Sequence, residues 1–178
     1  MLMDVHNTTG SKQARYIQHS CGKTVAYSAQ ELVYRVTLGN LNAKGTLYGG
    51  HPLFIADGFA AEIALRHSGF GCDTLFVDGG KFWAPAYLGD VLIFKGSVNR
   101  VWDSSLEVGV RIVVRRPESD QEEHLFSAYF TFVALDENRK PIQVCTVIPE
   151  TKEEKRRFKE AQRRRNYRLK HNKKKAYT

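Results

Sequence analysis

The stretch NLNAKGTLYGGHPLFIADGFAAEIALRHS, Asn40–Ser68, is the part of the sequence on which the fold turns. Pro52 suits the first turn of a helix, where its missing N–H has no acceptor to serve. Gly69 and Gly71 supply a stop, so the spacing predicts one long apolar helix from about His51 to Ser68. On it Leu53, Ala60, Ala61 and Ala64 fall on the same face as Asp57, while Glu62 and Arg66 fall on the other as an i, i+4 pair. An aspartate among apolar neighbours is costly unless it has partners or a task. Gly49 and Gly50, just ahead of the helix, sharpen the question of what that task is.

Outward from this helix the sequence turns to strands. ELVYRVTL (Glu31–Leu38) is rich in β-branched and aromatic residues and predicts a strand before the helix. After it, TLFVDGGKFW (Thr74–Trp83), GDVLIFKGSVNRVW (Gly89–Trp102), SSLEVGVRIVVRR (Ser104–Arg116) and HLFSAYFTFVAL (His124–Leu135) predict four more. Leu106, Val108, Val110, Ile112 and Val114 alternate cleanly, and the turn PESDQEE makes the last two segments a hairpin. The order is α+β: one helix packed against an antiparallel sheet. Residues 1–28 are polar and read as a loose lead-in, residues 29–145 as the domain, and residues 146–178 as a basic C-terminal helix and tail. Thr151 and Glu154 have capping-box spacing. The pairs Glu153–Arg157 and Glu160–Arg164 extend that helix to about Leu169, with the remainder frayed.

A chain of 178 residues is long enough for one domain with a substantial core. No apolar run reaches the roughly 18 residues of a membrane span. The opening MLMDVHNTTGSKQARY lacks the layout of a secretory signal. Cys21, Cys72 and Cys145 are odd in number and far apart, which argues against a disulfide framework or a zinc site and suits a reducing cytoplasm. The net charge of +8 belongs to the tail: from Thr151 onward 13 Lys and Arg face 3 Asp and Glu, against 14 and 16 before it. That tail lacks regularly spaced stacking aromatics and no recognition fold accompanies it, which argues against nucleic-acid binding.

Neither a GxSxG elbow, a Walker A loop, an HExxH pair nor a GxGxxG fingerprint is present, so serine hydrolase, nucleotide hydrolase and metalloprotease readings fall away. What remains is the loop and helix. Gly49 and Gly50 leave backbone N–H groups at the positive end of the helix, where they suit a developing oxyanion. Asp57 lies about two turns on and Asn42 has the donor and acceptor to orient a water. Two readings stay open on spacing alone. In one this is an acyl-transfer site; in the other the glycines permit a tight turn and Asp57 pairs with a neighbouring donor.

In this order, Asn42-x-x-Gly45, Gly49-Gly50, and Asp57 on an Ala-rich helix ending ALRHS resemble the acyl-CoA thioester hydrolases of the hotdog fold. KFWAPAYLGDVLIFKGSV, SSLEVGVRI, SAYFTFVALDENRKP and PETKEEKRRFKEAQRRRNYRL continue the resemblance from about Glu31 to Leu169. It implies a sheet wrapped around the central helix, and two copies joined into one continuous sheet, commonly as a trimer of dimers with active sites at the dimer interface. It also implies hydrolysis of acyl-CoA to free acid and coenzyme A without metal or redox cofactor. Asp57 would be the catalytic carboxylate, Asn42 its partner from the facing subunit, and the amides around Gly49 and Gly50 the oxyanion site. Leu75, Phe76, Val77, Ser104, Ser105 and Leu106 would line the path of coenzyme A through backbone groups, and Arg165 would meet its phosphates. Asn40 departs from the Asp of many relatives, and His51 reads as a pocket-edge or capping residue. A hotdog hydratase or dehydratase, with His51 as its base, and a non-catalytic acyl-CoA-binding regulator are the alternatives.

Overall fold

The computed structural model describes residues 21–117, 119 and 121–171. The expectations for residues 1–20 and for the chain end beyond His171 lie outside them. In chain order the elements are β1 (Gly22–Thr24), α1 (Val25–Ser28), β2 (Gln30–Arg35), α2 (Gly50–Ser68), β3 (Cys72–Phe82), β4 (Val91–Val101), β5 (Ser105–Arg115), β6 (Glu122–Ala134), β7 (Thr146–Ile148) and α3 (Lys152–His171). A 3-10 turn at Leu38–Asn40 leads toward α2.

The alternation seen in Ser104–Arg116 is the sheet's inner face. Leu106, Val108, Val110, Ile112 and Val114 of β5 are buried, as are Phe126, Phe130 and Phe132 of β6 and Leu92, Phe94 and Val98 of β4. The five long strands run β2-β4-β5-β6-β3 with antiparallel neighbours throughout. Helix α2 follows one edge strand and precedes the other, so it crosses the inner face of the sheet. It buries Ala56, Phe59, Ala60, Ile63, Ala64 and His67 there. This stripe is rotated from the one expected from spacing: Asp57 and Leu53 lie at its edge, because the bulky Phe59 and Ile63 face the sheet. The helix closes on β4 at Gly96, where a Cβ would stand 2.4 Å from Ile63 Cδ1 and 2.7 Å from Phe59.

Helix α3 lies on the opposite, outer face. Its start is the expected capping box, with Glu154 N–H donating to Thr151 Oγ1 and Thr151 N–H to Glu154 Oε2. The pair Glu153–Arg157 forms, but Glu160 pairs with Arg156, because the sheet claims Arg164. Arg66 donates to Tyr27 O rather than to Glu62.

The chain ahead of β2 is not loose over its described part. Strand β1 pairs in parallel with β7, Gly22 opposite Thr146, and this brings Cys21 and Cys145 together as a disulfide with Cα atoms 5.2 Å apart. The cysteine reading is thereby corrected: a separation of 124 residues hides a pairing that only the β1–β7 contact creates. Residues 22–24 and 146–148 form one small two-stranded sheet, with α1 directly after its first strand. Among the described residues no helix is long and apolar enough to cross a membrane.

His67, fully buried near the end of α2, ties this small sheet to the core. Its Nδ1 meets Ser28 Oγ at 3.1 Å and its Nε2 meets the Cys145 carbonyl at 3.2 Å. A neutral ring that donates from Nε2 and accepts at Nδ1 satisfies both. Burial lowers its pKa from 6.5 to about 4, the Cys145 bond opposing and Lys23 assisting. The unfolded chain therefore binds more protons between those values, so stability is complete above about pH 6.5 and declines as pH falls toward 4. Denaturant melts should lose up to about 3 kcal/mol over that window. His67→Gln should flatten the slope, and an equal slope in that variant would place its origin elsewhere.

Candidate active site

The loop before α2 is held by Asn40. Its Oδ1 accepts from the Thr37 N–H (2.7 Å) and Thr37 Oγ1 (2.8 Å), which fixes the amide orientation and turns Nδ2 to His51 Nε2 at 3.1 Å. An Asn Nδ2 can only donate, so His51 Nε2 is an acceptor and the ring proton sits on Nδ1. The Tyr34 hydroxyl lies within reach of both groups, at 3.0 Å and 2.9 Å. The Asn40 carbonyl takes the Tyr48 N–H, and the Tyr48 carbonyl takes the His51 N–H. His51 is thus an anchor of the helix start.

This clamp presents Gly49 and Gly50. Neither N–H has an acceptor among the described residues, and no side chain caps the helix. A Cβ on Gly50 would stand 2.6 Å from the Tyr48 ring, so the residue must be glycine for the ring to sit where it does. Two unpaired donors at the positive end of a 19-residue helix suit a carbonyl oxygen that gains charge.

Asp57, two turns on, is half-buried, and its Oδ1 accepts from Thr74 Oγ1 at 3.0 Å. One carboxylate oxygen is oriented by the strand and the other is free for chemistry. Sequence reasoning misses Thr74, which is one β-branched residue among many on a strand. Asn42 of the same chain makes no hydrogen bond to Asp57; its bonds are local. Its Oδ1 accepts from Lys44 N–H (2.8 Å) and its Nδ2 donates to Thr46 Oγ1 (2.9 Å), across a turn that Gly45 closes at φ 76°. One Nδ2 hydrogen is left over.

A bulge at Leu75 separates Thr74 from the remainder of β3. Thr74 pairs with Phe132, on the inner face, whereas Phe76 pairs with Thr131, on the outer face. There a cavity of about 300 Å³ opens between sheet and α3, lined by Leu75, Phe76, Ser104, Ser105, Arg165 and Arg168. The buried Thr131 Oγ1, also on its wall, has no hydrogen-bond partner among the described residues. Arg165 Nη1 donates to Ser105 Oγ at 3.0 Å, and its guanidinium lies over the Trp102 ring. Burial, and then the charge of Arg168, hold the Arg165 guanidinium below its ordinary pKa. Leu75, Phe76, Ser104, Ser105 and Arg165 are therefore together. The Leu106 side chain fills the core and Val77 lies exposed on the inner-face side, so neither side chain lines this cavity. Among the described residues no group of three His, Cys, Asp or Glu side chains is placed to hold a metal ion.

The sequence pattern of the thioesterase superfamily matches residues 44–119. Protein VdlD of Helicobacter pylori is 34% identical over 135 residues, covering 76% of this chain and 77% of its own. A crystal structure of an apo-hexameric acyl-CoA thioesterase superposes with a TM-score of 0.83 at 30% identity, over 87% of this chain and 99% of that one. The acyl-CoA hydrolase of Staphylococcus aureus, solved with butyryl coenzyme A, coenzyme A and coenzyme A disulfide, gives 0.78 at 30% identity, over 85% and 94%. Solved variants of that hydrolase replace by alanine an aspartate, an asparagine 15 residues before it and a threonine 17 residues after it. Fold, sequence pattern and relatives agree: the chain belongs to the hotdog-fold acyl-CoA thioesterases of the thioesterase superfamily.

Proposed function

We propose that this protein hydrolyses acyl-CoA thioesters to free acid and coenzyme A at a site built from Gly50, Asp57 and Thr74 of one subunit and Asn42 of its partner. The observation that carries the reading is the Asp57–Thr74 pair beside the unpaired N–H groups of the α2 start. Asn42, Asp57 and Thr74 also stand at the same spacings, 15 and 17, as the three residues replaced in the Staphylococcus aureus hydrolase. The thioester oxygen receives the Gly50 N–H, and the carbonyl carbon is attacked by a water that gives its proton to Asp57, or by Asp57 itself. In the second route a mixed anhydride forms and a further water cleaves it. Both expel the thiolate of coenzyme A, which needs no strong general acid at a thiol pKa of about 8.5. The chemistry calls on no metal or redox cofactor.

The nucleotide portion fits the Arg165 groove, which begins one residue beyond Thr74. A hydratase would use His51 as a free base, but its Nε2 is engaged by Asn40 and Tyr34. Thiol release should therefore be measured over a series of acyl-CoA chain lengths. The expected result is turnover that falls at least about 100-fold in Asp57→Asn with coenzyme A binding intact. No release from any chain length would leave the binding-regulator reading in its place.

Thr74→Val keeps the shape and deletes the bond to the carboxylate. It should lower kcat about tenfold with KM nearly unchanged, the cost of a hydrogen bond to a charged group. An unchanged kcat would remove Thr74 from the site.

The inner-face edge of β3 leaves Val77 and Phe82 exposed beside Leu53 and Phe54 of α2, which suits a second copy laid along that edge. In the dimer so formed, and in a trimer of such dimers, the partner's loop brings its Asn42 to this subunit's Asp57. Mixing inactive Asn42→Ala and Asp57→Asn subunits by joint refolding would then recover about a quarter of wild-type activity. Half the dimers would be mixed, each with one intact site. No recovery would show that both residues act from the same chain.

A further inference from the structure

Helix α3 carries little that is apolar to the sheet. Phe158 and Ala161 are its packed apolar residues, Leu169 borders the cavity, and the rest of the seam is mainly arginine and glutamine. Apolar contact alone resists rotation or sliding of such a helix weakly, so its register depends on directional bonds. The strongest is inside the protein. Glu107 of β5 is fully buried on the outer face of the sheet, and both its oxygens are used. Oε1 accepts from Arg164 Nη2 (2.6 Å) and Asn99 Nδ2 (3.0 Å), and Oε2 accepts from Arg164 Nε (3.1 Å). The sheet is shaped for this group: a Cβ on Gly109 would stand 2.6 Å from Asn99 Nδ2. The Arg164 guanidinium also lies over the Tyr129 ring at 3.5 Å.

We propose that Glu107 is a positioning residue: its two-point pair with Arg164 sets the rotation of α3 that delivers Arg165 to the groove. The inference rests on the reading of that groove as the coenzyme A site. Four residues beyond Arg164, Arg168 is held by Asp78 of β3, so the helix is pinned on both sides of Arg165. Arg164 and Arg168 are neutralised by these acids. Arg165 has no carboxylate within 4.0 Å among the described residues and keeps an uncompensated cation facing the cavity. A phosphate takes such a guanidinium by paired charge-assisted bonds, and a rotation of α3 by a fraction of a turn would withdraw it.

A buried carboxylate left without its arginine would destabilise the fold, so the decisive variant removes both charges: Glu107→Leu with Arg164→Met. It should melt close to the wild type. Its Kd for free coenzyme A, by calorimetry, and its KM for acyl-CoA should rise about tenfold, with kcat within about twofold. KM for the same acyl group on pantetheine, which lacks the nucleotide, should not move. Glu107→Gln, closer in shape, should show the same pattern at about threefold. A wild-type Kd in the folded double variant would overturn the role, as would equal rises in KM for both thioesters. A wild type that binds coenzyme A without turnover would sink the hydrolase reading alone, since the calorimetric comparison still decides. A wild type that binds no coenzyme A would sink both.

Discussion

The contact on which the rest of the structure depends is the closure of α2 on β4 at Gly96. Ile63 and Phe59 occupy the space any side chain there would need, so the helix sits at the closest distance the backbone permits. Burial of those two residues contributes roughly 1.5–3 kcal/mol each, and it does so only at this distance. Because α2 spans the sheet between its two edge strands, one contact sets both of its ends. The Gly49–Gly50 donors come to rest beside Tyr48 and Phe82, and Asp57 comes to rest 3.0 Å from Thr74. A helix held farther out would keep its hydrogen bonds and lose the site.

The local periodicities of the sequence survive folding almost unchanged. Strand β5 shows its inner face in the alternation Leu106 to Val114, and α2 begins and ends within a residue of where Pro52 and Gly69 put it. The loop-and-helix residues Gly49, Gly50 and Asp57 are legible too, since their types are unusual at those positions. What is illegible depends on partners distant in sequence. Cys21 and Cys145 become neighbours only through the parallel β1–β7 pair, and three-residue strands carry no periodicity to announce it. Spacing alone misplaces Asp57 on the helix, because three alanines and a leucine define a face less firmly than Phe59 and Ile63. Arg164 has a helical partner, Glu160, at ordinary surface spacing. A buried glutamate 57 residues away takes it instead, because a desolvated carboxylate needs the guanidinium more than an exposed one does.

Polar groups divide between two duties. Asn40, Tyr34, His51, Asp78, Glu107 and Arg164 are consumed by one another and fix backbone and helix positions. Those that the proposed site would use keep something unspent among the described residues: the Gly50 N–H, one oxygen of Asp57, one hydrogen of Asn42 Nδ2, the Arg165 charge and the Thr131 hydroxyl. This is what preorganisation requires. Donors that already have partners cannot respond to a substrate, and donors without fixed neighbours do not hold their aim.

The bulge at Leu75 joins the two halves of the site. In a regular strand Thr74 and Phe76 would point to the same face. The extra residue sends Thr74 inward to Asp57 and Phe76 outward to the groove beneath Arg165 and Arg168. On the proposed reading, reaction chemistry and nucleotide recognition lie on opposite faces of one sheet and yet within three residues of each other. A thioester whose acyl end enters along α2 and whose nucleotide lies under α3 must pass around the edge of β3 at this point. Strand β3 is an edge strand of the sheet, so among the described residues no neighbouring strand closes the passage from outside. A second copy laid along β3 would complete the wall of the passage while it supplied Asn42. On the proposed reading assembly and catalysis make the same demand of this edge, where the exposed Leu75, Phe76 and Val77 are apolar at positions an unpaired strand would ordinarily charge to prevent association.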